Sequence, residues 1–409
     1  MRKSKDSIKV SDFVINFLSK KGVKDVFMLS GGGAMHLIDS LGRHPKMNYI
    51  CNHHEQASSM AAEAYWRISG IPGVALVTTG PAGTNAITGV MCSWTDSIPM
   101  FVLSGQAKST ALIADTGLRQ LGVHEADITK LVDSITKYAV TVMDPSEIEY
   151  HLEKAFFLCK SGRPGPVWID VPLDIQGAII DPKKNKKFNP VLEFPDISPK
   201  PSSGQISQLK KWILESKRPV FLVGYGIKLA SLEEDFRVFI EKMNIPVALT
   251  KNAFDFIEDA HPLLAGQVGT YGQRSGNFAI QNSDLLICLG TRLSSPVTGY
   301  EADLFARQAR VVVVDIDKAE LEHSLIKIDL PIYSDLPNFF NEFNSQTEGT
   351  TWSAYKEWRK KVSHWREVFP NVTDFMRNRT DYVDPYYFYE VLSENIDAST
   401  SLVWDQGAT

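Results

Sequence analysis

The sequence is poor in cysteine, has no excess of basic charge and contains no long apolar run. Its 409 residues include four cysteines, Cys51, Cys92, Cys159 and Cys288. They lie far apart and match neither a zinc site nor a redox pair, so they read as reduced thiols in a cytoplasmic protein. Lys and Arg number 43 against 48 Asp and Glu, a net charge of −5. With no surplus of cations to neutralise phosphates, nucleic acids and anionic membrane surfaces are excluded as partners. The opening MRKSKDSIKVSDF lacks the apolar core of about 7–15 residues that a signal peptide carries. No apolar stretch approaches the roughly 18 residues needed to cross a membrane.

What remains is an ordinary globular composition, 44% apolar and 22% charged, long enough for several domains. Two segments read as linkers. The first, Asp181–Gln205, holds five prolines and five lysines and is expected to run extended. The second, Asn344–Ser353, is polar and aperiodic. The domains are therefore placed at 1–181, 206–343 and 354–409, with 182–205 as connector. In the first, short β-rich runs (Asp25–Leu29, Tyr49–Asn52, Val74–Thr79, Met100–Leu103, Val167–Val171) alternate with helical patterns (Ser11–Lys20, Glu55–Ser69, Pro145–Lys160). The second repeats the scheme, with strands at Pro219–Val223, Pro246–Leu249, Leu285–Leu289 and Val311–Ile316 and a helix at Leu232–Met243. Such alternation implies α/β domains with doubly wound parallel sheets. The third segment has a helix, Pro385–Asn395, and a strand, Ser401–Trp404, and reads as a domain begun and not finished.

Several motifs follow strands. Gly31, Gly32 and Gly33 make either a tight turn or a cradle of free amides at a helix start. Gly224-Tyr225-Gly226 has Leu229 where a dinucleotide fingerprint needs a small residue, which favours a packing turn. His53 and His54 alternate in direction and are not expected to share a metal. Glu55 sits in a first helical turn, where a carboxylate is favourable without any function. In Thr79–Asn85, Gly80 and Pro81 rigidify a turn and Thr84 or Asn85 is the expected helix cap, although the same turn would present amides to a ligand equally well.

The combination and its order are more specific. SGGGAMHLIDSL, NHHEQASSMAAEAYWR, VALVTTGPAGTN, DSIPMFVLSGQ and GRPGPVWIDVPLDIQ, followed by SDLLICLGTRLSSPVTG and VVVVDIDKAEL, closely resemble the thiamine-diphosphate enzymes of the acetolactate synthase type. The resemblance implies a pyrimidine-binding domain, a Rossmann-like central domain and the first part of a diphosphate-binding domain. It implies a carboligase or decarboxylase, a transferase or lyase acting on a 2-oxo acid or related carbonyl compound, with thiamine diphosphate and Mg²⁺ as cofactors. By the same resemblance Glu55 binds N1′ of the aminopyrimidine and is the catalytic residue, with an apolar wall from Ala57, Met60, Ala61 and Ala64 behind it. Gly31, Gly32, Gly33, Pro81, Gly83, Asn85 and Gln106 line the cofactor site, and Val123, His124 and Leu173 shape the substrate pocket. The family builds its active site between subunits, so a homodimer or homotetramer is expected.

Three departures qualify this. The family's GDG run and asparagine pair, which hold Mg²⁺, are absent, and Asp405-Gln406-Gly407 matches only the strand before them, so the metal ligands are expected beyond residue 409 and the chain alone is expected to be inactive. Acetolactate synthases carry Phe-Gln at Val123-His124 and Lys at Leu173. In the flavin region Lys251-Asn252-Ala253, Gly269-Thr270-Tyr271-Gly272 and Pro296 replace the usual residues, so the FAD that the family sometimes holds stays an open second cofactor. The alternative is a non-catalytic or partner-dependent chain that binds a nucleotide or cofactor without a diphosphate domain.

Overall fold

A computed structural model describes residues 7–113, 116–397 and 399–403. The chain forms two compact units, Met1–Ser198 and Pro199–Thr409. Each is built on a six-stranded parallel sheet with helices on both faces.

In the first unit a short antiparallel pair, β1 (Ile8–Lys9) and β8 (Ile179–Ile180), ties the start of the unit to its end. The main sheet comprises β2 (Asp25–Met28), β3 (Asn48–Cys51), β4 (Gly73–Val77), β5 (Met100–Gln106), β6 (Tyr138–Thr141) and β7 (Pro166–Pro172), in the order β3-β2-β4-β5-β7-β6. Successive side chains on a strand point to opposite faces. Met28, Leu76, Phe101, Leu103, Val167 and Ile169 accordingly pack on one side with helices α1 (Val10–Lys20), α2 (Met35–Arg43) and α6 (Ile148–Lys160). Phe27, Ala75, Val77, Met100, Val102 and Trp168 pack on the other with α3 (Glu55–Ser69), α4 (Pro81–Asp96) and α5 (Ile128–Val132). Burial on both faces is why the strands read as nearly continuous apolar runs.

The strands of the second unit are β9 (Pro219–Val223), β10 (Val247–Leu249), β11 (Leu264–Gln267), β12 (Leu285–Leu289), β13 (Arg310–Asp315) and β14 (Leu330–Tyr333), ordered β11-β10-β9-β12-β13-β14. A helix at Lys356–Val368, placed by the sequence outside the central domain, packs into this unit's core through Tyr355, Trp358 and Val362. The Trp358 indole donates to the Pro219 carbonyl at 3.0 Å and the Tyr355 hydroxyl to that of Ile213 at 2.8 Å.

The two linkers are more structured than expected. Within Asp181–Gln205 a helical turn spans Pro190–Glu193, a capped helix begins at Ser203, and Phe188 and Phe194 pack on Phe157 of α6. Within Asn344–Ser353 the helix Leu336–Gln346 runs three residues into the segment, and Trp352 stacks on Phe343. Apolar partners overrode the proline and polar signals in both places. No strand forms over Ser401–Val403. Trp404 and Asp405–Gly407 lie outside the described residues.

Candidate functional site

Strand order alone indicates where a ligand would bind the first unit. The chain reverses direction between β2 and β4, and open α/β sheets bind ligands beyond the carboxyl ends of strands at such a switch point. The motifs singled out in the sequence all leave strands at this end: Ser30–Gly33 after β2, His53–Glu55 after β3, Thr78–Asn85 after β4 and the segment from Ala107 after β5.

Glu55 is the first residue of α3 and is buried, 7% exposed. His54 caps the helix, its Nδ1 accepting from the Gln56 amide at 3.1 Å. Asn85 of α4 donates from Nδ2 to Glu55 Oε2 at 3.0 Å. Among the described residues Oε1 carries no hydrogen bond. The side chain of Asn85 is thereby committed to Glu55, and Thr84 bonds back to the Pro81 carbonyl. The cap position of α4 falls instead on Gly80, with Pro81 following it in the first turn.

The glycine cradle is largely an internal fit. A Cβ on Gly33 would lie 1.8 Å from Thr79 Oγ1, and one on Gly31 2.3 Å from Thr78. The Gly33 amide donates to Thr78 Oγ1 at 3.0 Å, and Gly105 backs onto the Gly33 carbonyl. Gly31 and Gly33 therefore bring β2, β4 and β5 together, while Gly32 faces open space. Gly83 packs against Ile128 and Trp168, in the core. Gln106 is likewise turned inward, 3% exposed, donating to the Ala126 carbonyl at 3.0 Å and to Asp170 Oδ2 at 3.2 Å while accepting from the Ala107 amide at 2.9 Å.

Of the pocket residues, Val123 is 80% exposed. His124 is also exposed and adopts φ +53°, unusual without glycine. Its carbonyl lies where a Cβ on Gly80 would stand, 1.8 Å from that position, so Gly80 at φ +61° allows this loop to rest on the start of α4. Leu173 opens α7 (Leu173–Gly177), half-buried. Further along α7, Gln176 is fully buried and donates to the carbonyls of Gly33 at 2.7 Å and Val171 at 2.8 Å. Its Oε1 is buried without a partner. The expected wall behind Glu55 is not formed as drawn, since Ala57, Met60 and Ala64 are exposed and the buried face of α3 carries Ser58, Ser59 and Ala62.

The sequence reading missed four supporting residues. Asp170 of β7, 1% exposed, accepts from Ser104 at 2.5 Å, Gln106 and Thr141 at 3.1 Å. Burial pushes its pKa up to about 6 against those hydrogen bonds. Asp174 accepts from both the amide and hydroxyl of Ser109. Burial raises its pKa, but the Ser109 bonds outweigh that and hold it below the usual range. Gln176 and Glu125 complete the set. A charged residue in the apolar strand PVWIDVP was a readable signal for Asp170; the other three left none.

His53 and His54 are both exposed, and among the described residues no group of three or more His, Cys, Asp and Glu side chains could hold a metal. In the second unit the switch point lies between β9 and β12. There Gly224 and Gly226 press against Gly290, whose carbonyl accepts from the Gly226 amide at 2.9 Å. Gly224-Tyr225-Gly226 is thus a packing turn. A cavity of about 250 Å³ opens beside it, lined by Arg292, Ser294, Glu320 and His323, with Arg292 paired to Glu320 at 2.9 Å.

The first unit is thus an α/β cofactor-type domain with one buried, half-partnered carboxyl at its switch end. Comparison with known proteins makes this more specific. Residues 8–138 match the family described as thiamine pyrophosphate enzyme, N-terminal TPP binding domain, and residues 206–343 match thiamine pyrophosphate enzyme, central domain. Acetolactate synthase 1, chloroplastic, of Nicotiana tabacum is 33% identical over 390 residues, 94% of this chain and 56% of that protein. The acetolactate synthase large subunit of Corynebacterium glutamicum is 32% identical over 387 residues, 94% of this chain and 60% of that protein. The probable acetolactate synthase large subunit of Methanocaldococcus jannaschii is 32% identical over 370 residues, 90% of this chain and 61% of that protein. The chain belongs to the acetolactate synthase-like family of thiamine-diphosphate-dependent enzymes. It spans about three-fifths of the length of these curated relatives. No helix among the described residues is long and apolar enough to cross a membrane.

Proposed function

We propose that this chain is the pyrimidine-holding and central part of a thiamine-diphosphate-dependent carboligase or lyase acting on a 2-oxo acid or a related carbonyl compound. The observation that carries the reading is Glu55: a buried carboxyl at the switch end of the sheet, fixed through Oε2 by Asn85 and open at Oε1. Such a group fits a ring nitrogen that needs one hydrogen-bond partner able to share a proton. When bound, thiamine diphosphate supplies the electron sink that lets a bond beside a carbonyl carbon break or form. The protein's part is to hold a proton at Glu55 Oε1, to keep that oxygen oriented through Asn85 and to limit water around it. Gly32 and the exposed Pro81 are the cofactor-facing positions of the neighbouring turns in this reading. The described residues offer no Mg²⁺ site, so no role for the metal is derived from them.

Val123, His124 and Leu173 are the substrate-facing set. Leucine in place of a cation removes a charge-assisted contact worth about 1.5–3 kcal/mol to a carboxylate, which favours larger or less acidic substrates than pyruvate alone. Exposed Tyr49, Ile50, Met60 and Met91 near α3 and α4 support a second copy of the chain covering this face, as a homodimer or homotetramer would. Four free thiols suit a reducing compartment such as the cytoplasm. Mass spectrometry of small molecules released from the native protein tests the reading: thiamine diphosphate is expected, with or without flavin, and its absence would overturn the reading.

A further inference from the structure

We infer that Glu125 is the positioning residue of the substrate-facing pair Val123–His124. This rests on the function proposed above. The carboxyl of Glu125, 8% exposed, faces back into its own loop and gathers three backbone amides. Oε1 accepts from Ile113 at 2.6 Å; Oε2 accepts from Leu121 at 3.1 Å and Gly122 at 3.3 Å. Amides eight and nine residues apart in the chain are thereby joined by one side chain that is not part of any strand or helix. The closure is tight, because a Cβ on Gly122 would fall 2.5 Å from Ala107 and 2.8 Å from the Ala111 carbonyl.

Between Gly122 and Glu125 stand only Val123 and His124. Glu125 therefore sets the path of the two residues that face solvent at the switch end. His124 is held at φ +53°, a conformation that costs a non-glycine residue energy unless its surroundings enforce it. The Glu125 bonds on one side and the seat of the His124 carbonyl against Gly80 on the other supply that enforcement. Two other anchors hold the ends of the same segment: Asp174 on Ser109, and Gln106 on Ala126. Neither reaches the turn itself.

A carboxylate is the right group for this task, since it is acceptor-only on both oxygens. Glutamine keeps the shape but turns an NH₂ toward amide donors, so at least one of the three bonds is lost and a donor is left facing a donor. Aspartate keeps the charge with a shorter reach, giving a graded second variant. Hydrogen exchange by mass spectrometry on the wild-type chain, Glu125→Gln and Glu125→Asp reads the hold on the loop. Exchange in peptides within 107–127 is expected to quicken about tenfold or more in Glu125→Gln and less in Glu125→Asp, with β4, α3 and α4 unchanged. Kinetics of the thiamine-diphosphate-loaded protein with pyruvate and phenylpyruvate read the positioning. KM for the probe that is turned over should rise about tenfold, with kcat and the half-saturating thiamine diphosphate concentration changing little. Unchanged exchange, exchange quickened throughout the first unit, or loop-confined exchange with an unmoved KM would each overturn the inference while leaving the functional reading standing. No cofactor-dependent turnover of either probe by the wild-type, full-length protein containing this chain would overturn the functional reading and this inference with it.

Discussion

Replacing Asp170 with asparagine should stabilise the first unit near neutral pH and make little difference near pH 4. Asp170 is buried in the sheet, and the acceptors and donors around it are all neutral: Ser104, Gln106 and Thr141, with the Trp168 indole donating to Ser104 at 2.8 Å. Among the described residues no cation compensates its charge, and burial, helped by the nearby charge of Asp127, raises the pKa from 3.8 to about 6. The sign follows from proton counting. Between pH 3.8 and about 6 the folded state holds a proton that the unfolded state has released, so stability falls as pH rises through that window. Above it the full cost is present, roughly 3 kcal/mol. At pH 4 little of that has developed. Asparagine cannot ionise, and its amide can donate to Ser104 while its oxygen accepts from Gln106. The stability difference between Asp170→Asn and wild type should therefore grow by about 2–3 kcal/mol from pH 4 to pH 8. Urea unfolding of both proteins at each pH, followed by hydrogen exchange in peptides of β5 and β7, gives this double difference directly. A difference that stays constant with pH would refute the reasoning, because it would mean Asp170 titrates alike in the folded and unfolded chain.

Lys137 is the basic counterpart, with burial lowering its pKa from 10.5 to about 8; because Met also loses the bond to the Ser161 carbonyl, the expected signature of Lys137→Met is the pH dependence, its stability relative to wild type falling by about 2–3 kcal/mol as pH rises from 7 to above 10, as read by thermal unfolding across pH. Gly33→Ala places a methyl 1.8 Å from Thr79 Oγ1 and should cost about 1–3 kcal/mol or more in chemical denaturation. Trp358→Ala should cost the second unit about 3–5 kcal/mol, measured by denaturation, if the Lys356–Val368 helix is part of that unit's core.

Much of the fold is legible in the sequence because long apolar or strongly periodic segments carry their own signal. Glu55–Ser69 forms a helix over those residues, helped by a capping His54 and a terminal Gly70 at φ +67°. The short pair Ile8–Lys9 with Ile179–Ile180, and the strands Tyr138–Thr141 and Leu330–Tyr333, are set by partners distant in sequence and leave little periodicity to read. The site divides in the same way. Glu55 and the turns around it are recognisable from motif order, whereas Glu125, Asp174 and Gln176 act by bonding to backbone groups, and a single sequence holds no pattern for that. Even among the motif residues chemistry and packing look alike in sequence: Gly83 and Gln106 are core-facing, and only the fold separates them from Gly32 and Pro81.

The central claim is that Glu55 shares a proton with the cofactor's pyrimidine. Its most direct test is deuterium exchange at C2 of bound thiamine diphosphate in the protein containing this chain, measured by quenched NMR for wild type and Glu55→Gln. Glutamine preserves the bond to Asn85 and the shape of the site but cannot pass a proton. Exchange slowed by about 10²–10⁴ with cofactor still bound is the predicted result; exchange at the wild-type rate would contradict the account and leave Glu55 as no more than a well-placed first residue of a helix.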